Sequence, residues 1–189
     1  MLRLHCATDP AWVALCLENL DKVLVDHAHC EHKAAVTALS FINRYPHDPR
    51  LVTALADLAA EEATHLSQMT AVCIERGLSL GHPEPDPYVQ QLLKRARHGG
   101  VAHQVDRLLI CALIEGRSCE RLKLLAENIP DEKLAAIYDE LWRAEAGHHT
   151  LFIELAERAY ARETGVDATQ AHRVVEERFL ILAKEEADI

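Results

Sequence analysis

Apolar residues recur at three- and four-residue intervals along most of the chain, and the interruptions are few and sharp. Asp9-Pro10 reads as a helix start, with Asp at the cap and Pro in the first turn, and a helical pattern runs from there to about Arg44 with room for one break. Tyr45-Pro46-His47-Asp48-Pro49 is a turn. A second helix is predicted over 49–76 and ends at Gly77. Residues 78–87 hold Pro83, Pro85 and Pro87 and are predicted to cross without regular helix. A short basic helix over 88–97 stops at Gly99-Gly100. A third long helix is predicted over 101–127, a turn at Asn128-Ile129-Pro130-Asp131, and a fourth helix over 131–162 before Gly165. The segment 167–187 carries Val174, Val175, Phe179 and Leu182 at helical spacing and is predicted to pack outside the others.

Two short turns and one long connection describe two antiparallel helical hairpins joined by a crossover. The expected fold is therefore all-α: a ferritin-like four-helix bundle with an extra C-terminal helix, formed by residues 1–189 as a single domain. Composition agrees with this reading. Apolar residues make up 49% of the chain with only 7 Gly and 7 Pro, which suits packed helices rather than disorder. No apolar run approaches the length of a membrane span, and the first residues lack the apolar core of a signal peptide. The six cysteines are scattered without a Cys-x-x-Cys pair, so a reduced, cytoplasmic location is expected rather than a disulfide framework or a zinc ribbon.

Ferritin-like carboxylate sites use one Glu from each of two helices and a Glu-x-x-His from each of the other two. This chain has Glu62-Ala-Thr-His65 and Glu145-Ala-Gly-His148. With 12 His in 189 residues, roughly one such match arises by chance, so the motifs alone decide little. Position in the hairpins decides more. In an antiparallel pair, residues equidistant from the turn stand level. Glu31 mirrors Glu62 about the first turn, and Glu115 mirrors Glu145 about Pro130. Glu120, the competing acid, stands five positions off, roughly 7.5 Å along the helix. The faces agree as well. Glu31 shares a stripe with Leu24, Ala34, Ala38 and Ile42, and Glu62 with Leu55, Leu58, Leu66 and Met69. Glu115 goes with Leu108, Ala112 and Leu122, and Glu145 with Leu141, Trp142 and Phe152. Four carboxylates on apolar faces are prohibitively costly without compensating charge, and two metal cations provide it. Mixed carboxylate and imidazole donors suit iron or manganese better than zinc or calcium. The predicted metal ligands are thus Glu31, Glu62, His65, Glu115, Glu145 and His148. His27, four residues before Glu31, is a candidate partner for it, whereas His149 points elsewhere on its helix than His148.

At these residues the chain resembles the bacterial tRNA-(2-methylthio-isopentenyladenosine) hydroxylases. The resemblance is carried by segments 26–35, 61–65, 113–121 and 145–148 and extends from about 12 to 160; Ile114-Glu115-Gly116-Arg117-Ser118-Cys119-Glu120-Arg121 is its most specific part. It implies a monooxygenase with two iron ions, which uses dioxygen and electrons from a reductase or ferredoxin. The implied reaction is hydroxylation of the isopentenyl group of a modified adenosine beside the tRNA anticodon. It also implies the same six residues as iron ligands. A tRNA substrate sits uneasily with a net charge of −10, so phosphate contacts must come from local basic groups. Two are available: Lys94, Arg95 and Arg97 with His98, and Arg117, Arg121 and Lys123. The rival expectations are a generic ferritin-like ferroxidase, a rubrerythrin-like peroxidase, and a non-enzymatic bundle that stores metal or binds a partner. The missing Cys-x-x-Cys argues against the rubrerythrin pattern, and four core carboxylates argue against a bundle without metal.

Overall fold

The structure, a computed structural model, describes residues 2–189. It contains seven helices, with no strand among the described residues: α1 (Pro10–Glu18), α2 (Leu20–Arg44), α3 (Pro49–Glu75), α4 (Pro87–Leu93), α5 (Gly100–Asn128), α6 (Glu132–Thr164) and α7 (Ala168–Glu186). The break that the first helical pattern allowed falls at Asn19, between α1 and α2. Four helices begin alike, each with an Asp side chain accepting from the exposed N–H groups of the first turn: Asp48 before α3, Asp86 before α4, Asp131 before α6 and Asp167 before α7. Gly165 ends α6 at φ 74°, a left-handed conformation that a side chain would strain. Replacing the Asp48 cap, which holds Leu51 N at 3.1 Å, is expected to show what one such device contributes. Asp48→Ala should lower unfolding stability by about 1 kcal/mol, measured by urea denaturation.

The short basic helix is shorter than its sequence pattern. α4 stops at Leu93, and residues 94–98 leave the helix. The backbone N–H and the guanidinium of Arg97 are both drawn to Asp106, at 2.7–3.0 Å, so this backbone bonds to a side chain of α5 instead of continuing its own helix.

The chain divides into two compact units. One, Ala14–Pro85, is the α2–α3 hairpin, with Leu24, Ala28, Ala35, Ala38 and Phe41 buried on α2 and Leu51, Leu55, Leu58, Met69 and Cys73 buried on α3. Ala34 and Ile42, expected inside, are only half-buried, because the interior stripe of α2 runs through their neighbours Ala35 and Phe41. The other unit, Met1–Val13 with Asp86–Ile189, is built on the α5–α6 hairpin; α4 packs on α5, and α7 packs on both α5 and α6. α7 buries Ala171, Val175, Phe179 and Leu182 and is tied down by two ion-pair clusters. Arg178 and Arg97 both grip the fully buried carboxylate of Asp106, and Arg117 grips Glu186 through two bonds of 2.8 and 2.9 Å. No helix among the described residues is long and apolar enough to cross a membrane.

Candidate metal centre

In the α2–α3 hairpin, Glu31 stands 13 residues before Arg44, where α2 ends, and Glu62 stands 13 after Pro49, where α3 begins. The two acids are therefore level, and the i, i+3 spacing brings His65 to the same face as Glu62. Donor atoms of Glu31, Glu62 and His65 lie within 4.8 Å of one another, and all three side chains are buried. His65 Nδ1 is 3.6 Å from Glu31 Oε2 and 3.6 Å from Glu62 Oε2. His27 Nε2 sits 2.6 Å from Glu31 Oε1, as its position one helical turn earlier suggested. Burial works to raise the carboxyl of Glu31, but hydrogen bonds from His27 and His65 prevail and hold it well below the usual carboxylate range. Burial likewise works to lower His65, and the carboxylates of Glu31 and Glu62 overrule it, raising the imidazole to about 9.

The α5–α6 hairpin repeats the arrangement. Glu115 lies 13 residues before Asn128 at the end of α5, and Glu145 lies 13 after Glu132 at the start of α6. Donor atoms of Glu115, Glu145 and His148 fall within 4.8 Å of one another, again buried, with His148 Nδ1 3.4 Å from Glu145 Oε2. Each hairpin therefore presents two carboxylates and one imidazole in a dry place. That donor set fits a divalent or trivalent cation of the iron or manganese type, which accepts oxygen and nitrogen ligands together. Glu120, the competing acid, is occupied elsewhere, accepting from Thr8 Oγ1 at 2.6 Å and from Arg117 at 2.6 Å.

His149, adjacent to His148, has a different task that the sequence did not reveal. Its Nδ1 lies 2.6 Å from the carbonyl oxygen of Ala112 in α5, and its ring meets Phe179 of α7 edge-on at 5.7 Å. Gly116 makes this approach possible, since a Cβ there would stand 3.0 Å from His149 Nδ1. Gly116→Ala adds helix propensity worth up to about 1 kcal/mol, yet it crowds a ring pinned on two sides, which costs about 1–3 kcal/mol. The expected outcome is a net loss of about 1 kcal/mol in chemical denaturation.

The basic residues separate into different classes. Lys94, Arg95 and Lys123 are exposed. Arg97 is half-exposed at its side chain but paired with Asp106. Arg121 lies between the rings of Trp12 and Tyr88, at 5.3 and 5.9 Å from their centroids. Arg117 corrects the sequence-based expectation of a phosphate contact. It is buried, and its guanidinium is consumed by Glu186, Glu120 and the carbonyl of Cys6, so it has no charge to offer a polyanion.

Comparison with known proteins agrees with this architecture. A solved structure described as a protein with aldehyde deformylating oxygenase activity from Synechococcus matches 98% of this chain and 87% of its own, with a TM-score of 0.88 and 38% identity; the fold is the ferritin-like helical bundle. A curated tRNA 2-(methylsulfanyl)-N(6)-isopentenyladenosine(37) hydroxylase from Pseudomonas putida is 36% identical over 153 residues, covering 81% of this chain and 74% of the relative. A protein of the same name from Salmonella typhimurium is 27% identical over 209 residues, covering 85% and 77%. The family model for tRNA-(MS[2]IO[6]A)-hydroxylase (MiaE) matches residues 2–189, and the chain belongs to that family.

Proposed function

We propose that this protein hydroxylates the isopentenyl side chain of 2-methylthio-isopentenyladenosine beside the anticodon of tRNA. In this reading the two hairpins close as one domain, and Glu31, Glu62, His65, Glu115, Glu145 and His148 together hold two irons. The observation that carries it is the paired geometry: each hairpin offers two buried, level carboxylates and one imidazole, in a chain of the MiaE family. Iron held there would supply activation of dioxygen. The overall reaction consumes one dioxygen, places one oxygen atom in an allylic C–H bond and releases the other as water. Two electrons and two protons must come from outside, from a reductase or ferredoxin.

The chain's own residues prepare this chemistry. His27 holds Glu31 ionised and fixes one of its oxygens, leaving the other toward His65. Residues His65 and His148 would have to present neutral imidazoles to ligate a metal there. Buried apolar neighbours such as Leu24, Leu58, Leu108 and Phe152 keep water away from the donors. An anticodon-loop base can swing out to reach such a site, which a paired base cannot do cheaply. Lys94, Arg95 and Lys123 are the proposed phosphate contacts, with Arg97 and Arg121 contributing from their paired and ring-stacked positions. Binding through so few cations on a −10 protein should weaken steeply with salt. The proposed location is the cytoplasm, where tRNA is modified.

The test is expression in a host that makes prenylated tRNA but no hydroxylated form, followed by digestion and nucleoside mass measurement. A product heavier by one oxygen atom should appear and should vanish in Glu62→Ala. Iron-loaded protein that yields none with a competent reductase, while it rapidly consumes peroxide or oxidises ferrous iron, is a peroxidase or ferroxidase instead.

A further inference from the structure

A cavity of about 580 Å³ opens beside the seam between the second half of α5 and the middle of α6. Its size falls within the usual range for small-molecule sites, roughly 300–1,000 Å³. Cys119 and His149, both buried, line it, and so do Leu124, Ala146 and Trp142. Cys119 lies one helical turn beyond Glu115, and Ala146 and His149 directly follow Glu145 and His148 in sequence, so the cavity opens at the same stretch of the hairpin as the donor set. Cys119 faces the cavity as a buried side chain. The other side differs in chemistry. Trp142 carries Lys123 at 5.6 Å and Arg143 at 4.7 Å from its ring centroid. Two acids share this rim: Glu127 lies 4.0 Å from Lys123, and Glu120 is held by Thr8 and Arg117.

We propose that this cavity receives the modified adenine, with the prenyl arm directed to Cys119 and His149, the ring system beside Trp142, and a flanking phosphate near Lys123. The proposal rests on the hydroxylase reading and deepens it by locating the substrate. A prenylated adenine combines a branched apolar arm, a flat ring and an anionic backbone. The cavity matches these with the buried side chains of Cys119 and His149 on one side, the Trp142 ring as an aromatic wall and the Lys123 ammonium at the rim. An unmodified adenosine lacks the arm and forfeits the apolar part of the contact.

Only two tryptophans occur in the chain, so Trp12→Phe leaves Trp142 as the sole tryptophan reporter. Titrating this variant with 2-methylthio-isopentenyladenosine nucleoside should change Trp142 emission saturably, and adenosine should bind at least tenfold more weakly. In that same background Ala146→Phe, which fills the cavity, should weaken nucleoside binding at least tenfold. In the otherwise native chain it should raise KM for tRNA while metal content and helicity stay unchanged. Thr150→Phe at the rim repeats the test should Ala146→Phe fail to fold. A silent Trp142, together with unaltered kcat and KM in the filled variants, overturns the cavity assignment even where the native protein hydroxylates tRNA. Saturable binding that the filled variants abolish, in a protein that never hydroxylates tRNA, upholds the cavity and removes the hydroxylase reading alone.

Discussion

Glu115→Ala is expected to lose at least one metal ion after anaerobic reconstitution with ferrous iron, whereas Glu120→Ala is expected to keep two. The two acids lie on the same helix, five residues apart, but in opposite circumstances. Glu115 is buried with donor atoms of Glu145 and His148 within 4.8 Å. Glu120 already accepts from Thr8 and Arg117, which hold its carboxyl below the usual range against the contrary pull of burial. Removing Glu115 takes away one of the three protein donors that this hairpin offers. Removing Glu120 loosens the N-terminal segment and costs stability, but leaves the donor set whole. Iron content per chain, with the carboxylate-bridge spectrum as a second readout, separates the cases. Loss of iron in Glu120→Ala alone would mean that level position in the hairpin does not select the ligand.

The largest stability effect is expected at Asp106. Its carboxylate is wholly buried and accepts from the Arg97 backbone, the Arg97 guanidinium and the Arg178 guanidinium, so one side chain joins the corner after α4, the α5 helix and α7. Asp106→Asn removes the charge that compensates Arg178, whose side chain is only 14% exposed and keeps the Arg95 carbonyl as a neutral partner. Breaking a buried pair costs about 3–5 kcal/mol; since Arg97 can turn to solvent, about 3 kcal/mol is expected here. For a chain of this length that corresponds to a fall in Tm of roughly 6–12 °C. The pH dependence follows from the same contacts. Burial works to raise the Asp106 carboxyl, and the two arginines prevail and lower it. The folded state therefore binds a proton less readily than the unfolded state, whose carboxyl titrates near 3.8. Stability from this source is complete above that value and is lost as pH falls through the lower folded value. The stability difference between native protein and Asp106→Asn should accordingly be constant near neutrality and shrink below about pH 4. A difference that stays flat to pH 2 would show that Asp106 contributes shape rather than charge.

Helix order, turn positions and the helix-ending glycines were legible along the chain because they depend on neighbours, whereas the Asp caps before α3, α4, α6 and α7 emerged only with the structure. Pro49 after Asp48, Glu132 after Asp131 and Gly165 after Thr164 act within one turn of backbone. The level pairs were legible for a related reason. A hairpin with a tight turn maps sequence distance onto height, so Glu31 with Glu62, and Glu115 with Glu145, follow from counting residues. Even the His27 contact to Glu31 is a one-turn relation.

What the chain order could not show are relations between distant residues. Arg117 looked like an available cation because its partner Glu186 lies 69 residues away, and only packing of α7 brings them together. The pairing of Arg178 with Asp106 spans 72 residues and likewise depends on that packing. His149 differs from His148 by one position, and only the close approach of α6 to α5 at Gly116 gives its ring the Ala112 carbonyl. Local periodicity thus determined the height of the inward residues and the approximate face they lie on, with Ala34 and Ile42 falling at its half-buried edge. Tertiary packing decided which inward or half-buried charges were already neutralised, because a charge is compensated by its neighbours in space and not by its neighbours in sequence.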